Sequence, residues 1–113
     1  MNFENLEVWK RACQLSADVY SSLKTLRDFG FKDQLTRSSL SVPSNIAEGM
    51  VKPTQKDKVK YLHIANGSCV EMRTQVYIGM KIGYIQPDIG HQWVCETKEI
   101  SSMITGLIGK IER

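Results

Sequence analysis

Histidine, cysteine and proline are all scarce: two, three and three among 113 residues. Each scarcity removes an explanation. The paired Glu-x-x-His motifs of di-metal helical bundles are missing. Asp88-Ile-Gly-His91 is the nearest spacing and occurs once, and His63 has no ligand-spaced partner. No metal and no cofactor are expected. Cys13, Cys69 and Cys95 are odd in number, far apart and without a C-x-x-C, which argues against a disulfide framework and fits a reducing cytoplasm. No apolar run reaches the ~18 residues of a membrane span. The opening MNFENLEVWK has neither the basic start nor the apolar core of a secretory signal. Strand-like alternation bounded by turn residues is lacking too.

What remains is an ordinary folded composition, 42% hydrophobic and 24% charged, consistent with a single domain over 1–113. The spacing of apolar residues predicts four helices. The first runs from about Asn5 to Leu26. Its main face carries Leu6, Trp9, Cys13, Tyr20 and Leu23, flanked by Val8, Ala12, Leu15 and Val19. The second runs from about Lys32 to Met50. The third starts beyond Thr54, which with Asp57 resembles a capping box, and ends near Ile82 before a left-handed stop at Gly83. The fourth starts at Pro87, a residue suited to a first helical turn. Short loops between long helices predict an all-α, up-down-up-down four-helix bundle.

RSSLSVPSNIAEGM, residues 37–50, places Pro43 inside an apolar helical stripe. Either the helix breaks and restarts at Asn45, or it continues with a kink. A restarted helix of about five residues is marginal, so a proline-kinked second helix is preferred. Ser38, Ser39 and Ser41 offer hydroxyls near the carbonyl that Pro43 frees. Gly49 permits a close approach at the helix end. Asn45 and Glu48 share a face and suit a structural role toward the backbone, Arg37 or the third helix. Ser44 is adjacent, but no histidine is tied to it by spacing, so no catalytic constellation is present and a non-enzyme is expected.

VPSNIAEG with Arg37 upstream resembles the signature of a bacterial four-helix-bundle family. Its members include proteins encoded in intervening sequences of 23S ribosomal RNA genes. The accessory variability determinant of diversity-generating retroelements is a relative. FENLEVWKRA, YLHIANGSCVEMRTQV and IGYI resemble other parts of the pattern, so the likeness covers nearly the whole chain. Asn66 and Arg73 depart from it, standing where relatives have a basic and an acidic residue. The resemblance implies a barrel-like homopentamer that binds RNA or DNA, and a reverse transcriptase in a retroelement setting.

Net charge is +3, and KPTQKDKVK, residues 52–60, holds four lysines against Asp57, an excess equal to that of the whole chain. Lys52, Lys56, Lys58 and Lys60 straddle a helix N-terminus, whose dipole also attracts anions. They are the candidate nucleic-acid-binding residues, to which Lys10, Arg11, Lys24, Arg27 and Lys32 would add if packing brings them round. A merely solvated face is the plain alternative, which would leave a protein-interaction scaffold. Val8, Leu15 and Val19 in the first helix, and Val94, Ile104 and Ile108 in the fourth, exceed a narrow seam and are expected to meet partner chains. Gly67, Gly79, Gly106 and Gly109 are costly in helix interiors, and Gly106 with Gly109 suggests a crowded crossing, with fraying of the chain end the equal alternative for Gly109.

Overall fold

The computed structural model describes residues 2–113, and the described residues form four α-helices without strands. The Asn2 side chain accepts from the Glu4 amide and starts a 3-10 turn, Phe3–Asn5. Helix α1 spans Glu7–Ser22, α2 Phe29–Met50, α3 Gln55–Lys81 and α4 Pro87–Glu112. At ~1.5 Å per residue, the last three measure roughly 33–40 Å. They therefore lie lengthwise in a molecule of 44 × 21 × 20 Å.

Local chemistry sets most boundaries. Thr54 caps α3 by accepting from the Asp57 amide at 3.1 Å. Gly83 ends the turn after α3 with φ 81°, the one positive φ among the described residues. Pro87 opens α4. Two expected limits shift. Helix α1 stops at Ser22, before Leu26, and the Lys24 and Leu26 amides donate back to the Ser21 and Leu23 carbonyls. Helix α2 begins three residues before Lys32, because the Asp28 carboxylate caps it by accepting from the Phe31 amide at 3.1 Å.

Helix α2 runs unbroken through Pro43, so the break-and-restart reading is set aside. The serine hydroxyls do not serve the carbonyl of Ser39. Ser38 and Ser39 donate to Leu35 and Thr36 carbonyls, at 3.1 and 2.8 Å. Ser41 pairs with Ser68 of α3 at 2.8 Å.

The core is one seam per helix. In α3, Leu62, Ala65, Cys69, Met72, Val76 and Gly79 alternate steps of three and four, the pattern of a lengthwise helix–helix contact. In α1 the centre of the buried face is Val8, Ala12, Leu15, Val19 and Leu23, whereas Tyr20 is exposed and Leu6, Trp9 and Cys13 are half-buried. Apart from Leu23, which is buried as expected, the expected main face and its flank are exchanged, because the two stripes overlap and only packing chooses between them. Val94, Ile104 and Ile108 are likewise buried within the chain. The surface expected to need a partner on α1 and α4 is therefore already covered.

Several buried polar groups are bonded between helices, while Asn66 Oδ1 is buried without a partner. Ser16 meets Ser39 at 3.1 Å, and Ser38 donates to Gln75 at 2.6 Å. Arg73 donates to Thr97 Oγ1 at 2.9 Å and Ser101 Oγ at 3.1 Å, tying α3 to α4. Such bonds remove the desolvation penalty of unpaired groups.

Candidate nucleic-acid interface

The lysine segment occupies the turn from α2 into α3. Its geometry depends on Gly49: a Cβ there would stand 3.0 Å from Tyr61 Cβ and 3.1 Å from the Lys58 carbonyl oxygen. Glycine lets the end of α2 rest on the first turns of α3. The Tyr61 ring then lies under two cations, Lys52 Nζ at 4.8 Å from its centroid and Lys60 Nζ at 5.9 Å. Both are within cation–π range, which holds two like charges beside one ring. Lys56 is exposed on the same turns.

Lys58 differs from its neighbours. Its ammonium donates to the Met50 carbonyl at 2.9 Å and caps the C-terminal end of α2. Lys52, Lys56 and Lys60 take part in no ion pair among the described residues; Lys56 and Lys60 are exposed and Lys52 is half-buried.

The α1 candidates separate. Lys10 is exposed. Arg11 is committed to α4: Nε donates to Glu96 at 2.9 Å and Nη2 to Glu99 at 2.8 Å. The Glu96 bonds first, then Glu99, hold its guanidinium above the ordinary value. Arg11 is therefore a fastening of α1 to α4, and its charge is offset by two carboxylates.

The structural-motif residues also separate. Asn45 Nδ2 donates to the Ser41 carbonyl at 2.8 Å and to Ser41 Oγ at 2.9 Å. Because Ser41 Oγ also meets Ser68, Asn45 orients a hydroxyl bridge from α2 to α3. Pro43 is buried. Arg37 is exposed and pairs with Asp33 at 2.9 Å, one turn back, and not with Glu48. Glu48 is exposed and makes no hydrogen bond among the described residues.

The remaining polar candidates point to packing. Cys69 is buried and its thiol donates to the Thr97 carbonyl at 3.2 Å. Burial pushes the Cys69 and Cys13 thiols up, away from a reactive thiolate. Cys95 is exposed. Trp93 is buried, and Trp9 is half-buried against Phe3, ring centroids 5.3 Å apart. No group of three His, Cys, Asp or Glu is placed to hold a metal among the described residues. Among the described residues, no helix is long and apolar enough to cross a membrane.

Gly106 and Gly109 face open space, so the expected crowded crossing is not there. Besides Gly49, the crowded glycines are Gly79, against Ile85 and Phe31, and Gly90, against Met80.

Sequence reasoning offered Lys24 and Lys32 only as additions to the lysine corner and missed the second polar and aromatic place they help to form. Tyr20, Lys24, Phe29, Lys32 and Asp33 line an open groove of about 670 Å³ where α1 turns into α2. Its sequence signal is weak, because the residues are split between two helices.

The described residues thus form an all-α four-helix protein with a basic corner where α2 meets α3. The chain belongs to the 23S rRNA-intervening sequence protein family, whose model matches residues 4–106. A crystal structure of a protein of unknown function from the S23 ribosomal protein family of Bacteroides thetaiotaomicron is similar, with TM-score 0.84 and 20% identity. The match covers 89% of this chain and 97% of that one. At this identity the likeness shows the fold alone. No curated protein matches the chain.

Proposed function

We propose that this protein is a non-enzymatic, cytoplasmic, homo-oligomeric bundle that binds RNA or DNA through the corner formed by Lys52, Lys56 and Lys60. The observation that carries the reading is the set of cations around Tyr61 with no carboxylate paired to them. Lysines on an exposed helix start suit phosphates, which position a strand without reading its bases. The positive end of the α3 dipole adds to the attraction.

Assembly into a closed ring, five chains by the family resemblance, would repeat the patch and raise avidity. The surface that favours assembly is the outer face of α3. Ile64, Val70, Tyr77 and Ile78 are exposed there, and Gly67 between them has open space above it. This face replaces the α1 and α4 residues expected from the sequence.

Titration of labelled single-stranded and duplex oligonucleotides at two salt concentrations tests the binding. Log affinity should fall with log salt at ~0.7–0.9 per neutralised phosphate. Lys52→Gln, Lys56→Gln and Lys60→Gln together should weaken binding to DNA and RNA alike and flatten that slope. No binding at low salt would leave a protein-interaction scaffold, its contact made through the α3 face. Light scattering after size exclusion tests assembly, and a monomer at micromolar concentration would refute it. Ile64→Lys with Ile78→Lys should dissociate the assembly while leaving the chain folded.

A further inference from the structure

The groove between α1 and α2 brings together two helix faces of matching character. Tyr20 lies near the end of α1 and Lys24 in the turn that follows it, and Phe29, Lys32 and Asp33 lie on one face at the start of α2. Both rings are costly to leave in water, yet Tyr20 is 45% and Phe29 69% exposed. The ammonium of Lys32 is fixed in place: it stands 5.2 Å from the Phe29 centroid and donates to the Lys24 carbonyl at 3.3 Å. Neither Lys24 nor Lys32 is ion-paired among the described residues. The one lining carboxylate, Asp33, is already offset by Arg37 at 2.9 Å. The groove is thus aromatic and positive. Its volume falls in the ~300–1,000 Å³ range of small-ligand clefts.

An occupant that matches must offer a flat π-surface and a negative charge close to it. The geometry points to a base-stacking site for single-stranded nucleic acid, with Phe29 and Tyr20 taking an unstacked base and Lys24 and Lys32 the adjoining phosphates. Such pairing of aromatic platforms with cations is sequence-tolerant, since every base has a π-face. A duplex keeps its bases stacked inside and presents only phosphates. The inference rests on the nucleic-acid reading above, but its residues are separate. The 22 residues of α2 place the groove roughly 33 Å from the lysine corner at the other end of that helix.

The test uses the full chain, with a labelled single-stranded oligonucleotide, the same strand carrying abasic positions, a duplex and a free mononucleotide. The wild type should prefer the strand with bases over the abasic strand. Phe29→Ala and Tyr20→Ala should each weaken binding to the base-containing strand by roughly 5- to 150-fold, the range of one lost stack. They should leave the abasic strand and the duplex unchanged. Phe29→Leu keeps an apolar side chain without the π-face and should lose affinity too. Saturable mononucleotide binding that Phe29→Ala abolishes, with no preference for the strand, would make the groove a free-nucleotide site and overturn the strand assignment. Equal binding of the strands with and without bases, or of wild type and the aromatic variants, overturns the stacking site. The phosphate corner survives that result if the Lys52, Lys56 and Lys60 variant still weakens every probe. No binding of any nucleic acid by the wild type overturns both.

Discussion

Alanine at Gly79 and at Gly106 should move stability in opposite directions. Both glycines lie inside long helices, where alanine is favoured by about 1 kcal/mol. At Gly106 nothing lies within 4 Å of an added Cβ, so that gain should appear in full. At Gly79 the Cβ would meet Ile85 Cδ1 at 2.5 Å, Phe31 Cζ at 2.9 Å and Ile85 Cγ1 at 3.0 Å. Ile85 is 4% exposed and has little room to withdraw. Phe31 is held edge-on to Tyr84, centroids 5.3 Å apart. Overpacking of this kind costs about 1–3 kcal/mol, which outweighs or cancels the helix gain. The net at Gly79 is a loss of roughly 0–2 kcal/mol, so the two variants should differ by about 1–3 kcal/mol. At around 4 °C per kcal/mol, their Tm values should lie ~4–12 °C apart. Urea unfolding followed by circular dichroism measures the same gap. Equal stability of the two variants, or a more stable Gly79→Ala, would refute the packing described around Ile85.

Asn45→Ala should destabilise by about 0.5–1.5 kcal/mol, since it removes the donor that orients the Ser41–Ser68 bridge. Glu48→Ala should stay within about 0.5 kcal/mol of wild type in the same denaturation assay, because its side chain is exposed. Pro43→Ala should leave the helical signal intact. Recovery of a backbone bond, up to ~3 kcal/mol, is opposed by loss of a buried ring, so the change in Tm should be small. Acid should loosen the α1–α2 turn. The Phe31 amide and then the Tyr84 hydroxyl hold the Asp28 carboxyl below its ordinary value. A depressed folded pKa gives stability that is complete above the unfolded value near ~3.9 and is lost as pH falls through the folded one. Melting curves from pH 6 down to 2 should show this loss in wild type and less of it in Asp28→Asn. The Asp28 hydrogen bond also raises the Tyr84 hydroxyl. Its contribution is present below ~10 and disappears as pH rises through the folded value, so Tyr84→Phe should flatten the alkaline side.

The sequence by itself determined the four helices and most of their ends, because these depend on near neighbours in the chain. The caps at Thr54, Gly83 and Pro87 act within a turn of themselves, and the heptad-like seam of α3 is visible in its spacing. The continuity of α2 through Pro43 was also legible, in the unbroken phase of Leu35, Ser39, Val42 and Ile46. Tertiary structure alone decided which of two overlapping stripes on α1 became core, since Val8, Leu15 and Val19 compete with Trp9, Cys13 and Tyr20 until a partner helix is present. It decided which glycines are crowded, because Gly79 and Gly106 differ only in what stands across from them. It decided which charges are free as well. Arg11 and Lys58 read like their basic neighbours, but Glu96 and the Met50 carbonyl lie 85 and eight residues away. A helix follows from interactions a few residues apart, whereas a site is formed by the distances between helices, and those exist only once the chain has packed.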